Sequence, residues 1–132
     1  MEKEELAPDF SARLDLSLNQ RGGLVLAIVQ DYRTKEVLMH GFIDQEAWSN
    51  TKATGEVWLW STSRHLLWYK GGESGNTMKI RDAYLDCDKD CVLLLVEVSG
   101  DGYACHFGKP SCFFTKLDGV VQEGGYVFER GS

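Results

Sequence analysis

Val57-Trp58-Leu59-Trp60-Ser61-Thr62-Ser63-Arg64-His65-Leu66-Leu67-Trp68-Tyr69 reads as two short aromatic strands joined by a polar loop. Aromatic side chains fit a pleated, half-buried surface, and Ser61 to His65 supplies the small and polar residues that turns use. Trp58 and Trp60 alternate along the first strand, which makes core packing the expected use of both. Outward from this hairpin the pattern repeats. Leu24 to Val29 and Glu36 to Met39 flank the polar stretch Asp31 to Lys35, a second hairpin. Gly71 to Asn76 leads into a strand over Thr77 to Leu85, and Cys91 to Val98 is the most apolar strand of the chain. Gly100-Asp101-Gly102 turns into Tyr103-Ala104-Cys105-His106, and the tail from Val120 to Arg130 forms a hairpin around Gly124-Gly125. A helix is predicted from Gln45 to Thr54. Asp44 caps it, Glu46 suits the positive end of the dipole, and Gly55 ends it. The chain is therefore expected to be mostly β (α+β): an antiparallel meander or partly closed, barrel-like sheet with one or two small helices.

Length and composition bound the function. The 132 residues predict one domain. A hydrophobic fraction of 43% with 26% charged residues and 2 prolines is globular rather than disordered. The balance of 14 Lys+Arg against 20 Asp+Glu gives a net charge of −6, which argues against a nucleic-acid polymer as partner. It leaves room for a small anion held by a few local cations. No run of 18 apolar residues exists to span a membrane. The start Met1-Glu2-Lys3-Glu4-Glu5 lacks the basic and apolar regions of a signal peptide, so a cytoplasmic location is expected.

In such a reducing setting Cys87, Cys91, Cys105 and Cys112 do not read as a disulfide scaffold. The absence of a Cys-x-x-Cys pair removes the usual structural zinc patterns. Three cysteines from separate strands could still hold zinc with a fourth position open to water, the geometry that catalysis requires. A small buried hydrophobe is the simpler use of any one of them, and Cys91, at the head of the apolar run, fits it best. Asp86-Cys87-Asp88-Lys89-Asp90 carries three carboxylates at period two, which would share one side if the segment is extended. Their mutual repulsion invites a hard divalent cation, or else a solvated acidic turn. A calcium hand is excluded, because Cys91 stands where its glycine belongs and Val92 to Val96 is apolar. Arg64, Lys70 and the loop Gly71 to Asn76 could cradle a phosphate. Trp68, next to that loop, is a candidate ligand contact.

Together these segments resemble the phosphoribosyl-AMP cyclohydrolase family of histidine biosynthesis over about Gly23 to Phe114. Four ordered stretches carry the resemblance: Thr54 to Arg64; Leu67-Trp68-Tyr69-Lys70-Gly71 with Ser74-Gly75; Asp86 to Asp90; and Ala104-Cys105-His106 with Ser111-Cys112-Phe113. The resemblance implies a single-function hydrolase that opens the purine ring of phosphoribosyl-AMP. It implies zinc on Cys87, Cys105 and Cys112, with Cys87 from one subunit of a homodimer and the other two from its partner. Magnesium would sit on Asp86, Asp88 and Asp90. His106 is the candidate for proton transfer, and Ser63, Arg64, Trp68, Lys70, Ser74 and Gly75 are the candidate substrate contacts. Two stretches depart from the family pattern. Lys70-Gly71-Gly72-Glu73-Ser74-Gly75 places its carboxylate one position late, and Phe107-Gly108-Lys109-Pro110 lacks one cation between the last cysteines. These departures keep two alternatives in view, a relative acting on another purine nucleotide and a noncatalytic, zinc-stapled nucleotide-binding dimer.

Overall fold

In the computed structural model, which describes residues 23–105 and 107–128, the fold is built around β1 (Val25–Asp31). Val25, Ala27 and Val29 alternate along it and are fully buried, so one face of this strand is core. β2 (Val37–Ile43) returns antiparallel to β1 after a turn held by Asp31, whose carboxylate accepts from the N–H of Arg33 at 2.8 Å and of Thr34 at 2.9 Å. The helix α1 (Gln45–Thr54) follows. Asp44 caps it by accepting from Ala47 N–H, and Gly55 ends it at φ +74°. β3 (Trp58–Ser61), β4 (Leu66–Tyr69), β5 (Met78–Leu85) and β6 (Cys91–Val98) complete a six-stranded sheet in the order β4-β3-β2-β1-β6-β5. β7 (Gly119–Gln122) and β8 (Gly125–Phe128) form a separate hairpin.

The first four strands are the expected antiparallel meander, and β5 pairs antiparallel with β6. The central pairing differs. β1 runs parallel to β6, from Leu26 opposite Cys91 to Asp31 opposite Val96. Both strands are apolar over most of their length, as suits the buried centre of a sheet. The sheet then curls until its two wings meet. Val57 N–H donates to Met78 C=O at 3.0 Å, Ile80 N–H donates to Gly55 C=O at 2.8 Å, and Glu56 bridges Lys79. This is the barrel-like closure anticipated from the sequence. Inside it lie Val25, Val29, Ile43, Leu59, Met78, Leu94 and Val96, with Ala47 contributed by the helix.

Two local expectations are corrected. The fully buried residue of β3 is Leu59; Trp58 packs half-buried against the core, as expected, while stacking on Tyr69 with ring centroids 4.6 Å apart, whereas Trp60 lines a surface groove. Alternation settled which residues share a face, and the curl of the sheet made the Leu59 face the inner one. Cys91 is half-buried at the start of β6 rather than in the core. After the Gly100-Asp101-Gly102 turn, Cys105 makes a single bridge to Lys109. No described helix is long and apolar enough to cross a membrane.

Candidate active site

Cys105 and Cys112 come together through a tight loop. Gly108 N–H donates to Cys105 C=O, Cys105 N–H to Lys109 C=O, and Ala104 N–H to Pro110 C=O, all within 3.2 Å. The returning segment hangs on the edge of β2: Cys112 N–H donates to Leu38 C=O at 2.7 Å and the Ser111 hydroxyl to Val37 C=O at 2.7 Å. Cys105 is buried and Cys112 exposed. Burial pushes the Cys112 thiol above its ordinary value, the hydrogen bond with Cys105 and the charge of that sulfur act the same way, and Lys70 opposes them. Lys70, expected to face a phosphate, is instead 7% exposed beside these two sulfurs. Burial holds its ammonium below the usual lysine range, and the charges of Cys112 and Cys105 pull it back up. Its Nζ lies 5.0 Å from the centre of the Trp68 ring. His106 lies outside the described residues.

Cys87 is elsewhere. It sits exposed in the turn between β5 and β6, at the end of the sheet where Leu26 meets Cys91. The Cys105–Cys112 pair hangs near the opposite end of β1, where Gln30 faces Val37. Four residues of strand, roughly 13 Å, separate those two levels along β1. Within one chain the three sulfurs therefore do not converge.

Among the described residues, Asp86, Asp88 and Asp90 form a cluster whose donor atoms all lie within 4.8 Å of one another. They meet through a turn, not through the alternation of an extended strand. Asp86 Oδ1 accepts from the N–H of Asp90 at 3.0 Å and of Cys91 at 3.2 Å, and Lys89 occupies the left-handed region at φ +62°. The slight burial of Asp86 works upward, yet hydrogen bonds with Asp90 and Asp88 and from the two backbone N–H groups hold its carboxyl below the usual value. Asp90 is pushed the other way, by hydrogen bonds with Asp88 and Asp86, by desolvation and by the charges of both neighbours. All-oxygen donors of this kind suit a hard divalent cation, whereas the two sulfurs suit zinc.

Trp68 and Ser63 meet in a shallow groove across β2, β3 and β4, together with His40, Phe42, Trp60 and Ser61. Ser61 organises the turn: its Oγ lies 3.4 Å from Ser63 Oγ and accepts from Arg64 N–H at 3.2 Å. Arg64 is exposed on that turn, at the far end of β4 from Lys70 and Gly71 to Asn76. The structure thus divides the residues grouped as one phosphate cradle. In the loop itself, Gly72 and Gly75 N–H donate to Tyr69 and Gly71 C=O, and Ser74 Oγ accepts from Asn76 N–H. Asn76 Oδ1 accepts from Asp101 N–H at 2.7 Å, tying the loop to the turn before Cys105. His40 escaped the sequence reading. It is a single polar residue on a strand, and no spacing pattern links it to Ser63 or Trp68.

Comparison with known proteins supplies a second line of evidence. The family model described as phosphoribosyl-AMP cyclohydrolase matches residues 39–114. A protein of Syntrophotalea carbinolica with that name is 47% identical over 105 residues, covering 80% of this chain and 83% of its own. Its namesakes in Oleidesulfovibrio alaskensis and Methanosarcina mazei are each 48% identical, over 118 and 113 residues. They cover 89% and 86% of this chain, and 84% and 92% of their own.

Proposed function

The chain belongs to the phosphoribosyl-AMP cyclohydrolase family, and from that footing we propose that it works at a zinc site shared between two copies, with magnesium on the acidic turn. The reaction is a hydrolysis within histidine biosynthesis. Water adds at carbon 6 of the adenine of 1-(5-phosphoribosyl)-AMP and the bond from that carbon to nitrogen 1 breaks. The product is the formimino-aminoimidazole carboxamide ribotide.

The observation that carries the shared site is the separation of its ligands. Cys105 and Cys112 are within hydrogen-bond reach of one another, and Cys87 lies at the other end of the same sheet. Cys105 and Cys112 of one copy with Cys87 of another would hold zinc and leave a fourth position open. Zinc, when bound there, supplies the Lewis acidity that brings the pKa of water down to about 7. Lys70 places a positive charge beside the two sulfurs and opposes the upward shift of the Cys112 thiol. Trp68, with the Lys70 ammonium on its ring, offers an aromatic face to the purine. His106, adjacent to Cys105 in sequence, moves the proton from water to the leaving nitrogen. Asp86, Asp88 and Asp90 would hold magnesium, which would supply positive charge for the substrate's phosphates, and Arg64 adds its own. The setting is the cytoplasm and the assembly a homodimer.

Ring opening followed by ultraviolet absorbance, with and without a zinc chelator, tests the proposal. Turnover that the chelator abolishes and zinc restores is the expected result. Turnover indifferent to the chelator would overturn the zinc assignment. A metal-replete dimer inert toward phosphoribosyl-AMP would point instead to another purine nucleotide.

A further inference from the structure

We propose that His40 is a substrate-contacting residue of this chain, donating a hydrogen bond to a substrate phosphate at the mouth of the groove between β2, β3 and β4. The inference rests on the reaction proposed above and adds a residue to it. His40 stands exposed on β2, directly after buried Leu38 and Met39, on a strand whose next residues Gly41 and Phe42 also line the groove. Opposite it stand Ser61, Thr62 and Ser63, three hydroxyl side chains in succession. Trp60 and Trp68 line the same groove. Its ring also approaches Phe113, the residue after Cys112, with centroids 6.3 Å apart. The imidazole therefore neighbours both the cysteine segment, through Phe113, and the hydroxyl-bearing turn.

Packing gives no reason for an imidazole at this position. The ring contacts are edge and tilted contacts with Phe42 and Phe113, which any flat or apolar side chain could make. Among the described residues neither ring nitrogen has a hydrogen-bond partner. A donor with no structural task, beside three hydroxyls and two aromatic faces, matches a ligand that is a purine at one end and a phosphate at the other. Gly41 contributes by its size. A Cβ there would lie 2.8 Å from Leu59 Cδ1, so the strand next to His40 can approach β3 closely.

The test uses zinc-replete wild type, His40→Leu and His40→Gln, with AMP and adenosine as probes of the groove through tryptophan fluorescence. A hydrogen bond to a charged group is worth about 1.5–3 kcal/mol. His40→Leu should accordingly weaken AMP binding roughly 10-fold or more and leave adenosine binding unchanged. For phosphoribosyl-AMP, KM should rise by a similar factor while kcat stays within about twofold, and His40→Gln, which keeps a donor, should recover part of the loss. Unchanged AMP affinity in a folded, zinc-replete His40→Leu protein overturns the assignment. So does equal loss of AMP and adenosine, which would make His40 a base contact. A fall in zinc content or a collapse of kcat at constant KM would make it a support of the metal site and overturn it too. The AMP and adenosine titrations need no turnover, so failure of the proposed reaction would be seen separately in the wild type.

Discussion

Two residues show how narrowly the local chemistry is set. Gly71 adopts φ +83°, and a Cβ there would lie 2.2 Å from the Asn76 carbonyl oxygen, which is backbone and cannot step aside. Strain in the left-handed region alone costs about 1–3 kcal/mol for a non-glycine residue. Gly71→Ala should therefore lose at least about 2 kcal/mol in a urea titration and displace Lys70 from the sulfurs, lowering turnover as well. Cys105→Ser probes the other side of the site. Its buried thiol makes a small core contact that a hydroxyl nearly fills, so the far-ultraviolet spectrum should persist and the melting temperature should shift modestly. If Cys105 holds the proposed zinc, turnover should fall by about three orders of magnitude. Collapse of the fold would instead mark the zinc as structural. The sequence announced both residues, Gly71 through its loop and Cys105 through its resemblance. It was silent on Lys70 as a neighbour of sulfur, because burial beside Cys105 and Cys112 is decided by segments 35 and 42 positions away.

Elements were legible where a local signal both starts and stops them. The helix has a cap, an acidic first turn and a left-handed glycine at its end, and it runs from Gln45 to Thr54 as read. Asp44→Ala should cost about 1 kcal/mol, the usual worth of an N-cap, in chemical denaturation. The acidic turn was legible in composition and not in conformation. Alternation requires a strand, whereas hydrogen bonds to Asp86 and the left-handed Lys89 fold the segment back on itself. Asp90 and Asp86 impose opposite signs on the pH response of metal-free protein. Asp90 titrates above 3.8 in the fold, so its contribution is favourable below that value and is lost as pH rises through the raised one. Asp86 acts in the opposite sense and in a lower window, being favourable above 3.8 and lost as pH falls below it. Asp90→Asn should thus raise the melting temperature of metal-free protein near neutral pH. The same change should weaken magnesium binding by about tenfold or more, read by calorimetry, since one of three oxygen donors loses its charge. A variant that left magnesium affinity unchanged would remove Asp90 from the cation site.

At the scale of the whole molecule, the sequence anticipated a partly closed sheet, but the parallel β1–β6 pairing and the choice of Gly55–Val57 and Met78–Ile80 as the closing segments were beyond it. Alternation says which face a residue takes and never which strand lies beside it. Yet long-range pairing determines where the cysteines stand. The parallel register places Cys91, and with it the Cys87 turn, level with the start of β1. The last cysteine is instead fixed near the end of β1 by the bonds of Ser111 and Cys112 to Val37 and Leu38. In the proposed shared site, a two-fold axis would bring the Cys87 end of each copy to the Cys112 end of the other and make two equivalent sites. Subunit mixing then has a definite arithmetic. Cys87→Ser and Cys112→Ser proteins should each be inactive alone. Unfolded together and refolded at equal amounts, half of the dimers are mixed, and each mixed dimer keeps one intact site of its two, so about a quarter of wild-type turnover should return. Zinc content should return in the same proportion. Activity that stays at zero, in dimers shown by mass to be mixed, would mean that the three cysteines do not share a metal across the subunits.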